Sequence, residues 1–205
     1  MDNIRPNLAG DYPRIDSNSL IDPSAQIIGN VVIAKDVFVG PLTVIRADRR
    51  GPDGKVGPIR IEEGVNIHDG VLIHSSPGTS VTIGPGTCIA HGVVVYGPST
   101  IGEGCFLAIR SVLYSATLED HVWMGIGAMV ARTTVASFTM VPMGKVVGGR
   151  SDTLELRLVT EKEKEYMQEI MTANSDLRLD YFALRSKAES IIKSSIDRKA
   201  VKKPI

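Results

Sequence analysis

Aliphatic residues recur at every sixth position along this chain. Ile21, Ile27, Ile33, Val39 and Ile45 form one run, and Ile61, Ile67 and Ile73 a second. Ile83, Ile89, Val95, Ile101, Leu107 and Leu113 form a third, and after a slip of one residue come Leu118, Met124 and Val130. Two places before most of these stands a small or β-branched residue, as at Ala25, Val31, Val37, Thr43, Thr87, Ser99, Cys105 and Ala128. A period of six is neither the 3.6 of a helix nor the 2 of a long strand. It fits a short strand followed by a sharp corner, with residues i and i−2 pointing to the same side. Three such strands close one triangular coil. Coils stacked at roughly 4.8 Å pair their backbones with the coils above and below. The pattern therefore predicts a mainly β fold, a parallel β-helix of hexapeptide repeats, in preference to a sandwich with strands every 8–12 residues. Gly and Asn or Asp are expected at the bent corners.

Two insertions interrupt the repeat, a polar, Gly-rich one at Ala47–Pro58 and a short one at Ser75–Ser80, and both read as loops. The pattern changes again near Ser151. From Leu154 onward Gly is absent and Glu, Lys, Leu, Met and Ala dominate. Thr160–Glu163 reads as a capping box opening a helix. Tyr166, Met167, Ile170 and Met171 fall on one helical face. Asn174 and Ser175 suggest a break before a second helix carrying Leu177, Tyr181, Leu184, Ile191 and Ile192, with Lys199–Ile205 frayed. The expected organisation is a β-helix domain over 1–150 and a C-terminal helical segment over 151–205.

Composition narrows the functional classes. The 23 basic and 23 acidic residues cancel, which predicts no electrostatically driven binding of nucleic acid or membrane. No apolar run approaches the roughly 18 residues of a membrane span, and the first residues do not read as a secretory signal. The two cysteines form neither a CxxC pair nor a disulfide framework, which suits a cytoplasmic setting.

The repeat also registers the histidines. If Ile61, Ile67 and Ile73 mark faces one, two and three of a coil, Ile83, Ile89 and Val95 mark the same faces of the next. His74 and Tyr96 each follow a face-three residue and project outward. If the first insertion leaves the register intact, Arg46 joins them, giving an outward ladder Arg46–His74–Tyr96. His91 lies two places after Ile89, at the edge of face two. It cannot easily reach His74 within one prism, but it can reach His74 of a second prism in a threefold trimer. Neutral imidazoles so placed suit a metal, although two are fewer than the three protein ligands usual in a catalytic zinc site. His121 has no visible partner in the pattern and reads as structural.

Ile45-Arg46-Ala47-Asp48, Asn66-Ile67-His68-Asp69-Gly70-Val71-Leu72-Ile73-His74 and Ile89-Ala90-His91-Gly92, set on hexapeptide coils with C-terminal helices, resemble the gamma-class carbonic anhydrases over roughly residues 15–150. The resemblance implies a left-handed β-helix, a homotrimer, and zinc, iron or cobalt at each subunit interface. Hydration of carbon dioxide to bicarbonate is the implied reaction, driven by a metal that lowers the pKa of water toward ~7. It matches His74 and His91 to metal ligands from adjacent subunits. Arg46 and Asp69 match a pair formed across the interface, and Asp48 and Asn66 match polar residues supporting the site. Two positions depart from the family. Tyr96 stands where the third ligand His is expected, and His68 where a Gln orients water; no glutamate shuttle appears in the loops. A phenol, with a pKa of about 10, is a poor neutral ligand. Three arrangements follow: a two-His metal site, His68 as replacement ligand, or an anion site without metal. Three functions compete: a carbonic-anhydrase-like hydratase, a catalytically silent trimeric scaffold docking a protein partner through its C-terminal helices, and a hexapeptide acyltransferase.

Overall fold

The computed structural model describes residues 3–200, with side chains described up to 187 except at 150, 151 and 185. Short parallel strands stack into three sheets, one for each face of a triangular prism. Face three has eight strands, face one seven, and face two eight. The stack is a left-handed parallel β-helix of about seven turns.

Three interior columns hold it together. Ile27, Ile45, Ile73, Val95, Leu113, Val130 and Val147 pair rung on rung along face three. Ile33, Ile61, Ile83, Ile101, Leu118 and Val135 do so on face one. Val39, Ile67, Ile89, Leu107, Met124 and Val141 complete face two. All are buried. Each such side chain removed from water contributes about 1.5–3 kcal/mol. The small partners two places earlier, from Ala25 to Ala128, are buried beside them. Ile21, by contrast, is only partly buried against this core.

The slip in the repeat is a shortened corner. Ile83 pairs with Ile101, eighteen positions on, whereas Ile101 pairs with Leu118, seventeen on. Ser115 (φ 49) and Arg132 (φ 54) turn this tighter corner in successive coils. Corners are less restricted to Gly and Asn or Asp than the pattern suggests. Leu42, Arg110, His121 and Phe138 also hold φ between 56 and 58, a conformation costing about 1–2 kcal/mol each. His121 and Phe138 stack there with ring centroids 4.8 Å apart, and His121 Nε2 is 3.9 Å from a Glu103 oxygen. His121 therefore does have partners, at a corner rather than on a face.

Both insertions are loops, and they pack on each other beside face three. Gly78 N donates to the carbonyl of Arg49, and Val56 of the first loop joins the core.

The C-terminal region departs from its expected outline. A short helix α1 (Arg150–Leu154) and a strand Arg157–Leu158 precede the long helix. That strand pairs antiparallel with Thr139–Val141 and covers the open edge of face two. The Thr160–Glu163 capping box forms, with Glu163 N donating to Thr160 Oγ1 at 3.3 Å and Thr160 N to Glu163 Oε2 at 2.9 Å. The break expected at Asn174 and Ser175 does not occur. A single helix α2 runs over Glu161–Ala200. Contacts to face two span the expected break: Asn174 Nδ2 donates to Cys88 Sγ at 3.4 Å, Arg178 meets Asp36 at 2.8 Å, and Tyr181 lies 6.1 Å from the Phe38 ring. These tertiary contacts outweigh the weak local preference of Asn and Ser for a helix end. Met167, Ile170 and Met171 pack on Cys88, Phe106 and Trp123 as their spacing predicts, and Tyr166 stacks on Trp123. Leu177 and Leu184 of the expected stripe are exposed. The side chains of Ile191 and Ile192, and residues 201–205 of the expected frayed end, lie outside the described residues.

Candidate functional site

The eight residues singled out from the sequence divide into two groups of four on different faces. Arg46, Asp48, His74 and Tyr96 gather on face three. The strands Val44–Ala47, Leu72–Ser75 and Val94–Gly97 run side by side, and their register sets His74 opposite both Arg46 and Tyr96. The predicted ladder is therefore present and is unbroken by the first insertion. Asp48, the first loop residue after its strand, turns back toward His74. Its Oδ1 lies 3.1 Å from His74 Nε2, and its Oδ2 lies 3.2 Å from Arg46 Nε. Arg46 Nη2 is 3.5 Å from the same imidazole nitrogen. His74 is buried, and burial first, then Arg46, hold its pKa below the ordinary 6.5 against the opposing pull of Asp48. The neutral imidazole this favours is the form that binds metals.

Tyr96 meets His74 edge to face, with ring centroids 5.6 Å apart. On its other side Tyr96 stacks on Tyr114, and the Arg132 guanidinium lies 5.6 Å from the Tyr114 ring. The sequence reading passed over Tyr114. Its signal was available: it follows Leu113 as Tyr96 follows Val95, so it is the next rung of the same outward column.

Asn66, His68, Asp69 and His91 gather on face two and its edge. Asn66 belongs to the outward column Phe38–Asn66–Cys88, the same face that α2 packs against. His68 and His91 meet edge to face at 4.7 Å, and His91 Nδ1 lies 3.5 Å from Asp69 Oδ2. Burial, reinforced by His91, lowers the pKa of His68.

Within one chain Arg46 is thus paired with Asp48, and Asp69 stands beside His91. Arg46 Nε in the first group meets Asp48 as an ion pair without hydrogen-bond geometry, and Asn66 Oδ1 in the second is buried without a hydrogen bond. Among the described residues, no cluster of three or more His, Cys, Asp or Glu within a single chain could hold a metal. The two imidazoles suit a divalent cation of the zinc, iron or cobalt kind, while the neutral phenol of Tyr96 adds little as a donor. The imidazoles fit one only where the two groups meet, edge to edge, between copies of the chain.

The three-sided stack with a six-residue period defines a hexapeptide-repeat β-helix protein. The chain is homologous to the gamma-class carbonic anhydrases and to the carboxysome protein CcmM. It is 32% identical over 162 residues to the "Carboxysome assembly protein CcmM" of Synechocystis sp., covering 77% of this chain and 24% of that protein. It is 26% identical over 168 residues to the "Carbonic anhydrase" of Methanosarcina thermophila, covering 73% of this chain and 66% of that protein. The chain therefore spans about a quarter of the first relative and just under two thirds of the second. Among solved structures, a hexapeptide transferase family protein from Anaplasma phagocytophilum superposes with a TM-score of 0.73 at 25% identity, over 87% of this chain and 97% of that one. No protein-family model matches the chain.

Proposed function

We propose that this protein is a gamma-carbonic-anhydrase-like homotrimer that interconverts carbon dioxide and bicarbonate at a divalent-metal site shared by two subunits. One observation carries the reading. The residues expected around a single metal occupy two faces of the chain, each group is incomplete, and the two are complementary in donors and charge. His74 of one subunit and His91 of the partner subunit would hold the metal. A metal there supplies Lewis-acid chemistry, lowering the pKa of water toward ~7.

The chain's own residues divide the remaining work. Asp48 restrains His74 and Arg46 through its two carboxylate oxygens and balances their positive charge. Arg46, with its side chain 40% exposed, can receive an anionic product such as bicarbonate. Asp69, beside His91, is placed to orient that imidazole and to meet Arg46 of the partner subunit. His68 and Asn66 supply hydrogen-bonding groups on the partner's side of the junction. The free thiols Cys88 and Cys105 accord with a cytoplasmic location, which belongs to the same proposal. Among the described residues, no helix is long and apolar enough to cross a membrane.

A second reading rests on Tyr96. With a phenol as third donor and its ring stacked on Tyr114, the junction can be a structural remnant in a catalytically silent trimer that serves assembly. The relationship to an assembly protein supports this alternative. Protein purified without chelator separates the two. The hydratase reading expects about one zinc, iron or cobalt per chain and stopped-flow hydration above the buffer rate, both lost in His74→Ala. A metal-free trimer with no hydration under added zinc or anaerobic iron contradicts it and favours the silent reading.

A further inference from the structure

A cavity of about 360 Å³ lies between face two and α2. Its shape follows from one outward column of the repeat. The residues one place after Ile67, Ile89, Leu107 and Met124 are His68, Ala90, Ala108 and Gly125, and their strands are in register. Beyond His68 the column carries almost no side-chain volume, so it forms a narrow floor along the stacking axis. At Gly125 that floor cannot be raised, because an added Cβ would come within 2.5 Å of Met143 N. The neighbouring columns are tall. Phe106 and Trp123, edge to face at 5.4 Å, make one wall. Ile109, Ile126 and Met143, all exposed, make the other. Tyr166 and Ile170 of α2 form the roof.

Imidazole and amide groups lie toward one end of the cavity. From Ala108 to Gly125 the floor and walls are aliphatic, aromatic or thioether, and the roof there carries the Tyr166 hydroxyl, its ring stacked on Trp123. His68, His91 and Asn174 lie on the first two rungs, where Asn174 reaches Cys88. Three rung steps from His68 to Gly125 give a length of roughly 14 Å. The volume falls within the usual range for small-molecule sites, which combine an apolar lining with a few convergent polar groups.

We propose that this cavity binds a slender amphiphile, an extended apolar chain lying over Ala90, Ala108 and Gly125 with a single polar head at His68 and Asn174. The lining comes from one chain, but its polar end shares His68 and His91 with the junction of the proposed function, so the inference rests in that part on the same reading. Trp123 is the only tryptophan in the sequence and forms part of the wall, so its emission reports occupancy directly. The full-length protein is titrated with decanol and, in parallel, with decanoate. A saturable change in Trp123 emission with either probe is expected, and which probe binds tighter identifies the head as alcohol or acid. Ala108→Leu raises the floor and should weaken binding at least tenfold, with unchanged circular dichroism and light scattering. Met143→Asp, at a side chain 69% exposed, puts a charge on the outer wall and should weaken binding even if Ala108→Leu fails to fold. Saturation by neither probe, or equal affinity in both variants and the wild type, overturns the proposal. So does a change of oligomer size in Ala108→Leu when the wild type binds neither probe, since the cavity would then belong to subunit packing.

Discussion

Tyr96 lies flat against Tyr114, with ring centroids 5.4 Å apart and planes 13° from parallel. The pair continues the column that runs through Arg46 and His74, so the residue at position 96 is held beside the imidazole on a rigid sheet.

This relationship gives the first prediction. A side chain at 96 is the cross-strand neighbour of His74. Tyr96→His therefore places a second imidazole on the same edge, completing three nitrogen donors with His91 of the partner subunit. Zinc affinity measured by calorimetry should rise at least tenfold, and hydration activity should rise with it. An unchanged affinity in a folded trimer contradicts the assigned geometry.

The start of α2 makes a second prediction, concerning pH. Arg157 contacts both oxygens of Glu163 at 2.8 and 2.6 Å, and with Thr160 holds the carboxyl at about 2, below its ordinary 4.5. A carboxylate whose pKa is lower folded than unfolded stabilises above the unfolded value and loses that contribution as pH falls through the folded one. The anchoring of α2 should thus weaken as pH drops from about 4.5 toward 2. Glu163→Gln should remove that pH dependence from the thermal melt. Because Arg157 is exposed and water screens the pair, its loss costs only about 1 kcal/mol.

The thiols provide a third. Burial pushes Cys88 and Cys105 up to about 12. At neutral pH neither should react with an aromatic disulfide reagent in the native protein, and both should react once it is unfolded. Rapid labelling under native conditions would contradict the packing of α2 on face two if at Cys88, and the closed interior of the prism if at Cys105.

The sequence made the prism legible because every sixth residue must fill the same interior column. A polar side chain there would face the other two aliphatic columns with no partner. Register therefore carried over to the outward positions, which is why Arg46, His74 and Tyr96 were found on one ladder. Local signals were less informative. Asn174 and Ser175 resemble a helix end, yet α2 continues because Asn174, Arg178 and Tyr181 bind face two. Leu42 and Phe138 are poor candidates for left-handed corners, and the corner is imposed by the coils stacked around them. Tyr114 carries no metal-binding side chain, so only its place as the next rung of the outward column marks it. Asn66 and Asp69 were assigned to the site by their resemblance to a family motif along the chain, and a single chain places them on face two, apart from His74.

The central claim is that neighbouring subunits each contribute one imidazole to a common metal. It is tested most directly by mixing two variants. His74→Ala and His91→Ala chains should each bind no metal alone. Unfolded together and refolded as mixed trimers, they recreate an intact junction wherever the order is right, at about one junction in four for random threefold assembly. The account predicts metal recovered at about a quarter of the wild-type level in the mixture. Mixed trimers, verified by mass spectrometry, that recover no metal while the wild type binds it would contradict the account.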